Sequence, residues 1–385
     1  MYELYCNECT KDEAYDMQHK IIRASELDKD LDFSPTIVFG FYGEHQRDSF
    51  VKTAEQIKKY FGNVSLIGCS SNQNLMGEAP YRVDETVLCL MDLKADAFTL
   101  LFSDKIEEEN DTALILDEKK QHALLFYAGD EHLVQKGYET LQRKLQGGTL
   151  FGAIASADDT SQSGTLYYEG KFYDKGMVAC LLDASVYDLK GVALHDFEPA
   201  GIELFVTKVQ DNEILQIEDE PALDVIERII GTITPNRLLM FDTPFFIKKA
   251  MLEKGTSFSL TSLHSINREK NSLLLRQNVT LGSKLKVAIP ISKRSMKRRL
   301  WKIQKKAQVS QKEGALMLFF ASTSLPEHWH EMEVLYMMNI INKLRLPFVG
   351  LHTLGEIAPL ASQDTSALKD QTLTVISLSE RSLVQ

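Results

Sequence analysis

Toward the C-terminal end of the sequence a short apolar run, Pro347-Phe348-Val349, enters Gly350-Leu351-His352-Thr353-Leu354-Gly355-Glu356. Glycines let backbone N–H groups come close to a bound group. His352 can exchange a proton near neutral pH, and Glu356 can pair with a ligand ammonium. Gly350, His352, Thr353, Gly355 and Glu356 are therefore candidate ligand contacts, on a tight loop after a buried strand. The bland alternative is a turn between two strands, with Glu356 capping backbone amides.

Two further stretches have the same character. Gly68-Cys69-Ser70-Ser71 ends an apolar run, and amides and hydroxyls at a strand's carboxyl end are a common place for a ligand. Gly152, followed by Ala155-Ser156-Ala157-Asp158-Asp159, can set the Asp158 carboxylate beside such a pocket or make a solvated turn. Cys69 as a nucleophile needs a nearby base and a lowered pKa. No histidine is close to it in sequence, and no Ser-His-Asp or Cys-His constellation is readable. The expectation is a binding protein with no catalytic residues.

Metal chemistry is poorly supplied. Cys6 and Cys9 form one CxxC without the second pair that a structural zinc site needs. His328 and His330, two apart, point to different faces of a helix. The strongest charge anomaly is 284–312, with eleven Lys or Arg and no acid in a chain of net charge −11. There Met296, Leu300, Ile303 and Ala307 share a helix face, with Lys297, Arg298, Arg299, Lys302, Lys305 and Lys306 around the rest. Such a helix either docks an acidic partner, a membrane surface or nucleic acid, or is a solvated face balanced by acidic neighbours, with a partner protein the favoured docking target.

The elements that position these groups follow from pattern. At 385 residues, 44% hydrophobic and 25% charged, the chain has the composition of a folded protein with a large core. The acidic balance argues against nucleic acid as a partner. Five cysteines do not suggest a disulfide framework. No signal peptide or 18-residue apolar window is visible, which implies a cytoplasmic protein with reduced thiols.

Strand 36–41, helix 46–60 and strand 64–69 read as a parallel pair with a crossover. Strands at 86–92, 97–102, 123–127 and 150–154 follow, with helices near 111–118 and 131–145. Hairpin-rich sequence runs to 209, and Pro221 opens a helix over 221–230. Strands near 237–241, 273–276, 284–289, 315–322, 348–351 and 372–378 and helices at 292–308 and 327–344 complete the pattern. The fold class is mixed α/β (α+β), in two lobes, each a mixed sheet flanked by helices. Residues 1–34 read as an arm or a helix near 12–26, and the lobes as 35–217 and 218–380. No strong internal repeat is seen.

Four stretches, in order, resemble the FIST family, a bacterial sensory and signal-transduction module with FIST-N and FIST-C halves. They are Ile67-Gly68-Cys69-Ser70-Ser71, the segment from Gly147-Gly148 to Asp158-Asp159, the junction from Val206-Thr207 to Pro221-Ala222-Leu223, and Gly350 to Pro359. Ala321 stands where the family often has Cys, Leu325 about where it has Arg, His352 where Tyr is usual, and Glu220 where the junction has Gly. The resemblance implies a small, amino-acid-like ligand between lobes. It also implies signalling through a separate partner, such as a histidine kinase or other signalling protein. Haem held by one of nine histidines, or a ligand-free interaction scaffold, are the alternatives.

Overall fold

The computed structural model describes residues 17–76, 82–83, 85–104, 119–129, 131–158, 162–194, 197–210, 213–233, 244–248, 259–275, 279–290, 315–323, 348–359, 366–369 and 372–381. The expected elements at 111–118, 237–241, 292–308 and 327–344 lie outside them. So do Cys6, Cys9, Leu325, His328, His330 and the cations from Lys297 to Lys306.

The chain repeats one plan three times. In the first unit β1 (His19–Arg23) precedes β2 (Ile37–Tyr42), α1 (Arg47–Phe61) and β3 (Ser65–Ser70). The short hairpin β4 (Asn74–Met76) and β5 (Arg82–Val83) then leads to β6 (Val87–Met91). The second unit is β7 (Phe98–Ser103), β8 (Gln121–Ala128), α2 (Glu131–Lys144), β9 (Leu150–Ile154), hairpin β10 (Leu166–Tyr168) and β11 (Lys171–Tyr173), and β12 (Gly176–Asp183). The third begins with β13 (Tyr187–Leu194). After a long insertion it resumes with β21 (Leu316–Ser322), β22 (Phe348–Thr353), β23 (Gly355–Pro359), β24 (Ser366–Lys369) and β25 (Leu373–Glu380).

Each unit builds a six-stranded sheet, but its hairpin joins a different one. The orders are β1-β6-β2-β3-β10-β11, β7-β12-β8-β9-β23-β24 and β13-β25-β21-β22-β4-β5. The first unit thus lends its hairpin to the third sheet, the second to the first and the third to the second, which closes a ring. In each sheet the two central strands are parallel and the rest antiparallel. The registers agree residue by residue. The row Ile22, Leu88, Gly40, Gly68, Tyr167 corresponds to Leu101, Ala179, Leu125, Gly152, Ile357 and to Val192, Val375, Phe319, Gly350, Leu75.

The three sheets turn their inner faces on one core. By this register Phe41, Phe126 and Phe320 are equivalent. They meet there, with Phe126 5.9 Å from Phe41 and 6.0 Å from Phe320 between ring centroids. Outside, α1 packs Phe50, Ala54 and Ile57 on the first sheet, and α2 packs Val134, Tyr138 and Leu141 on the second. Both helices were expected, and Tyr60, near the end of α1, is exposed.

Other expectations are corrected. Residues 19–23 of the supposed N-terminal helix are an edge strand, paired with β6, because Ile21 and Ile22 pack on opposite faces of the first sheet. An internal repeat is present. The sheets also interleave: the second and third each contain strands from both sides of residue 217.

The insertion, between β13 and β21, is an antiparallel barrel. Its strands are β14 (Phe197–Gln210), β15 (Glu213–Ile217), β17 (Pro244–Lys248), β18 (Ser259–Asn267), β19 (Ser272–Leu275) and β20 (Lys284–Pro290), with the short β16 (Glu220–Pro221) at its edge. The ring β14-β20-β17-β18-β19-β15 closes by pairing β15 with β14. β14 and β18 change partners at register shifts, as strands do at barrel corners. The expected helix after residue 220 is α3 (Ala222–Ile230), whose Leu223, Val225 and Ile226 enter the barrel core.

Candidate functional site

The three candidate segments meet where the parallel strands end. Ser156 N–H donates to Ser70 O (3.2 Å), and Leu354 N–H donates to Ile154 O (3.1 Å). The hydroxyls of Ser71 and Ser156 close the circle, 3.0 and 2.7 Å from His352 O. Each unit is thereby tied to the next. Ser70 also accepts from Thr165 N–H (2.7 Å) and donates to Ser156 O (3.0 Å).

The glycines serve this packing. A Cβ on Gly152 would stand 2.6 Å from Leu125 O, and one on Gly350 2.6 Å from Phe319 O. Gly350 is therefore in a strand that has no room for a side chain, and 350–356 is not a loop. It is β22 and β23 with a bend at Leu354, passing from the third sheet to the second. Ser156, missed as a site residue, sits in the centre of the knot; its place in the Ala-Ser-Ala run was the available signal.

Cys69 faces the shared apolar core, and burial pushes its thiol far up, away from nucleophilic reactivity. Cys180 is likewise pushed up to about 12. Asp158 lies apart from the knot. Its carboxylate accepts the N–H groups of Glu44 (3.2 Å) and His45 (3.1 Å) and pairs with His45 Nδ1 (3.0 Å) at the surface. The reason is an insertion. From Ser71 to Asn74 and from Thr353 to Glu356 is three residues, whereas the equivalent Ala155 to Leu166 is eleven, and Asp158 is in the extra length.

One corner of the core separates the units chemically. The second unit places Ala155, Leu166, Gly176 and Val178 there, all in the apolar core or without a side chain. The first places Ser71 and Asn74, and Asn74 Nδ2 donates to Phe41 O (3.1 Å) and Glu85 O (3.0 Å). The third places Thr353, Glu356, Thr372 and Thr374. Glu356 is fully buried. Its carboxylate accepts hydroxyl hydrogen bonds from Thr353 (3.3 Å) and Thr372. Thr374 Oγ1, where Val87 and Val178 stand in the other units, is buried and unpartnered among the described residues. Ala321, where Tyr42 and Tyr127 stand, lies beside His352 on the opposite face of the third sheet.

Residues 36–220, from the start of β2 to β16, match the family model described as the FIST N domain. The chain carries a FIST N domain. No curated protein matches it. In this FIST protein the histidines whose side chains are described are divided between the interior and the surface. His19, His122 and His352 are enclosed among packed strands, and His45 and His264 stand at the surface. No group of three or more metal-ligating side chains occurs among the described residues, and none of their helices is long and apolar enough to cross a membrane.

Proposed function

We propose that this FIST protein is a sensor that binds a small, amino-acid-like ligand at the polar corner of its third unit and signals through a separate partner. FIST modules belong to sensory and signal transduction, which sets the class. The observation that carries the site is Glu356, a fully buried carboxylate where the sister units have Leu166 and Asn74. An ionised carboxylate accepts hydrogen bonds and cannot donate them, so it suits an ammonium-bearing ligand. Flanking hydroxyls supply adaptable donors and acceptors.

Because the corner is enclosed, a ligand enters only if strands or covering segments part. Binding is then tied to a change of conformation, the property a sensor needs. A micromolar ligand brings about 8 kcal/mol, ample to bias two arrangements that bind it unequally. With its described thiols in the core, the protein is read as a binder and not an enzyme. The cations at Lys297, Arg298, Arg299, Lys302, Lys305 and Lys306 are the proposed docking element for an acidic signalling partner.

Titration calorimetry with an amino-acid panel tests the reading, on the wild type and on Glu356→Leu. Saturable heat in the wild type that is lost in the folded variant is expected. Equal binding by both would remove the site, and no heat from any member of the panel would remove the ligand class. For the partner, Arg298→Glu with Arg299→Glu should abolish capture of the signalling partner while the fold survives.

A further inference from the structure

At the opposite end of the sheets a histidine breaks the repeat. His122 occupies the inward position that is Ile37 in the first unit and Leu316 in the third, both fully buried. His122 itself is only 7% exposed. Thr149 N–H donates to its Nδ1 (3.0 Å). Nδ1 is therefore unprotonated, and the neutral ring carries its proton on Nε2. That Nε2–H is buried and has no acceptor among the described residues.

A buried donor without an acceptor is costly, and a leucine would avoid the cost as it does in the third unit. Something outside the chain is the natural acceptor. The surrounding charge indicates its sign. Lys120, Asp188, Arg381 and Lys190 are among the charged groups that act on the imidazole. Asp188 is held by Lys190 Nζ (3.0 Å) and by Arg381 Nε (3.1 Å). Three of these four are cations, and the nearby Asp183 and Glu380 are paired with Lys119 and Lys94. Arg381 spends only Nε on Asp188 in these bonds, so the fork of its terminal nitrogens is available for bidentate contact with an oxyanion. Burial, more than these charges, holds the His122 pKa at about 4, so the ring acts at pH 7 as a neutral donor.

We propose that His122 Nε2–H, Arg381 and Lys190 form a phosphate-binding site at the turn that joins the second unit to the third. The site does not depend on the ligand corner, which lies at the other ends of these strands. Its occupant is free phosphate or the phosphate of a small ester.

Thermal unfolding of the full chain with inorganic phosphate, and with phenyl phosphate, against chloride at matched ionic strength decides it. Phosphate should raise the unfolding temperature saturably, as a ligand of the native state does. A response to phenyl phosphate as strong as that to phosphate would assign the site to esters, and a weaker one to the free ion. His122→Leu should unfold at a higher temperature in chloride and show no saturable rise. Arg381→Gln, whose side chain is half-exposed, should fold and weaken the apparent affinity about tenfold, the loss of one charge-assisted contact. A wild type that phosphate stabilises no more than chloride overturns the proposal. So does an undiminished rise in His122→Leu or, should that variant not fold, in Arg381→Gln.

Discussion

The second and third units put one backbone to two uses. Their strands pair in the same register, and the same Phe meets its counterparts at the centre. At one corner the second unit is apolar, with Ala155, Leu166 and Val178, and the third holds Thr353, Glu356 and Thr374. Backbone alone does not require a polar corner, since the second unit does without one. Burying a carboxylate costs several kcal/mol unless it is well hydrogen-bonded. A group that stability does not ask for is the best pointer to function within such a repeat.

The comparison can be broken from either side. Leu166→Glu imposes the third unit's acid on the apolar corner. Without partners it should destabilise by about 3–5 kcal/mol, read from chemical denaturation. A loss below about 1 kcal/mol would mean that the two corners are interchangeable, and that Glu356 signifies nothing. Gly350→Ala should cost about 1–3 kcal/mol, because its Cβ would meet the backbone oxygen of Phe319. Full stability there would show that the parallel strands can separate without penalty.

The opposite end of the sheets gives a pH test. The His122 pKa lies below its ordinary value, so the unfolded chain takes up the proton first. Stability is present above pH 6.5 and falls as pH drops toward about 4, by on the order of 3 kcal/mol. His122→Leu should remove that slope in phosphate-free buffer, and an unaltered slope would assign it to other groups. Tyr42→Phe, which deletes the hydroxyl bonded to Thr165, should cost about 1 kcal/mol. The smallest change in stability is expected from Glu356→Leu. It should lie within about 1 kcal/mol of wild type, since an apolar replacement of a buried ionic group is often neutral or better. A steep loss would make Glu356 a structural residue.

Much of the local structure was legible. Apolar runs bounded by Gly or polar residues gave β2, β3, β8, β9 and β21, and a 3.6-residue period gave α1 and α2. The barrel was not legible, because β17 and β18 carry no clean alternation and their pairing depends on partners far along the chain. The repeat left a faint trace. Phe41 precedes Gly68 by 27 residues, Phe126 precedes Gly152 by 26, and Phe320 precedes Gly350 by 30. A Glu-His pair follows each Phe, at Glu44-His45, Glu131-His132 and Glu327-His328. Such spacing is detectable once three copies are aligned and invisible in any one. At the candidate site the sequence singled out Ser70, Ser71, His352 and Glu356, which the fold does gather. It grouped Asp158 with them because a motif cannot reveal that one unit carries an eight-residue excess (11 − 3).

The exchange of hairpins has a consequence for biosynthesis. When the ribosome has completed β9, the strand that must cover its free edge is still about 200 residues away, since β9 ends at Ile154 and β23 begins at Gly355. At roughly 5–20 residues per second that edge stays bare for about 10–40 s. The nascent second sheet is then an open template for any passing strand, and a chaperone or rapid local folding must guard it until the last third of the message has been read.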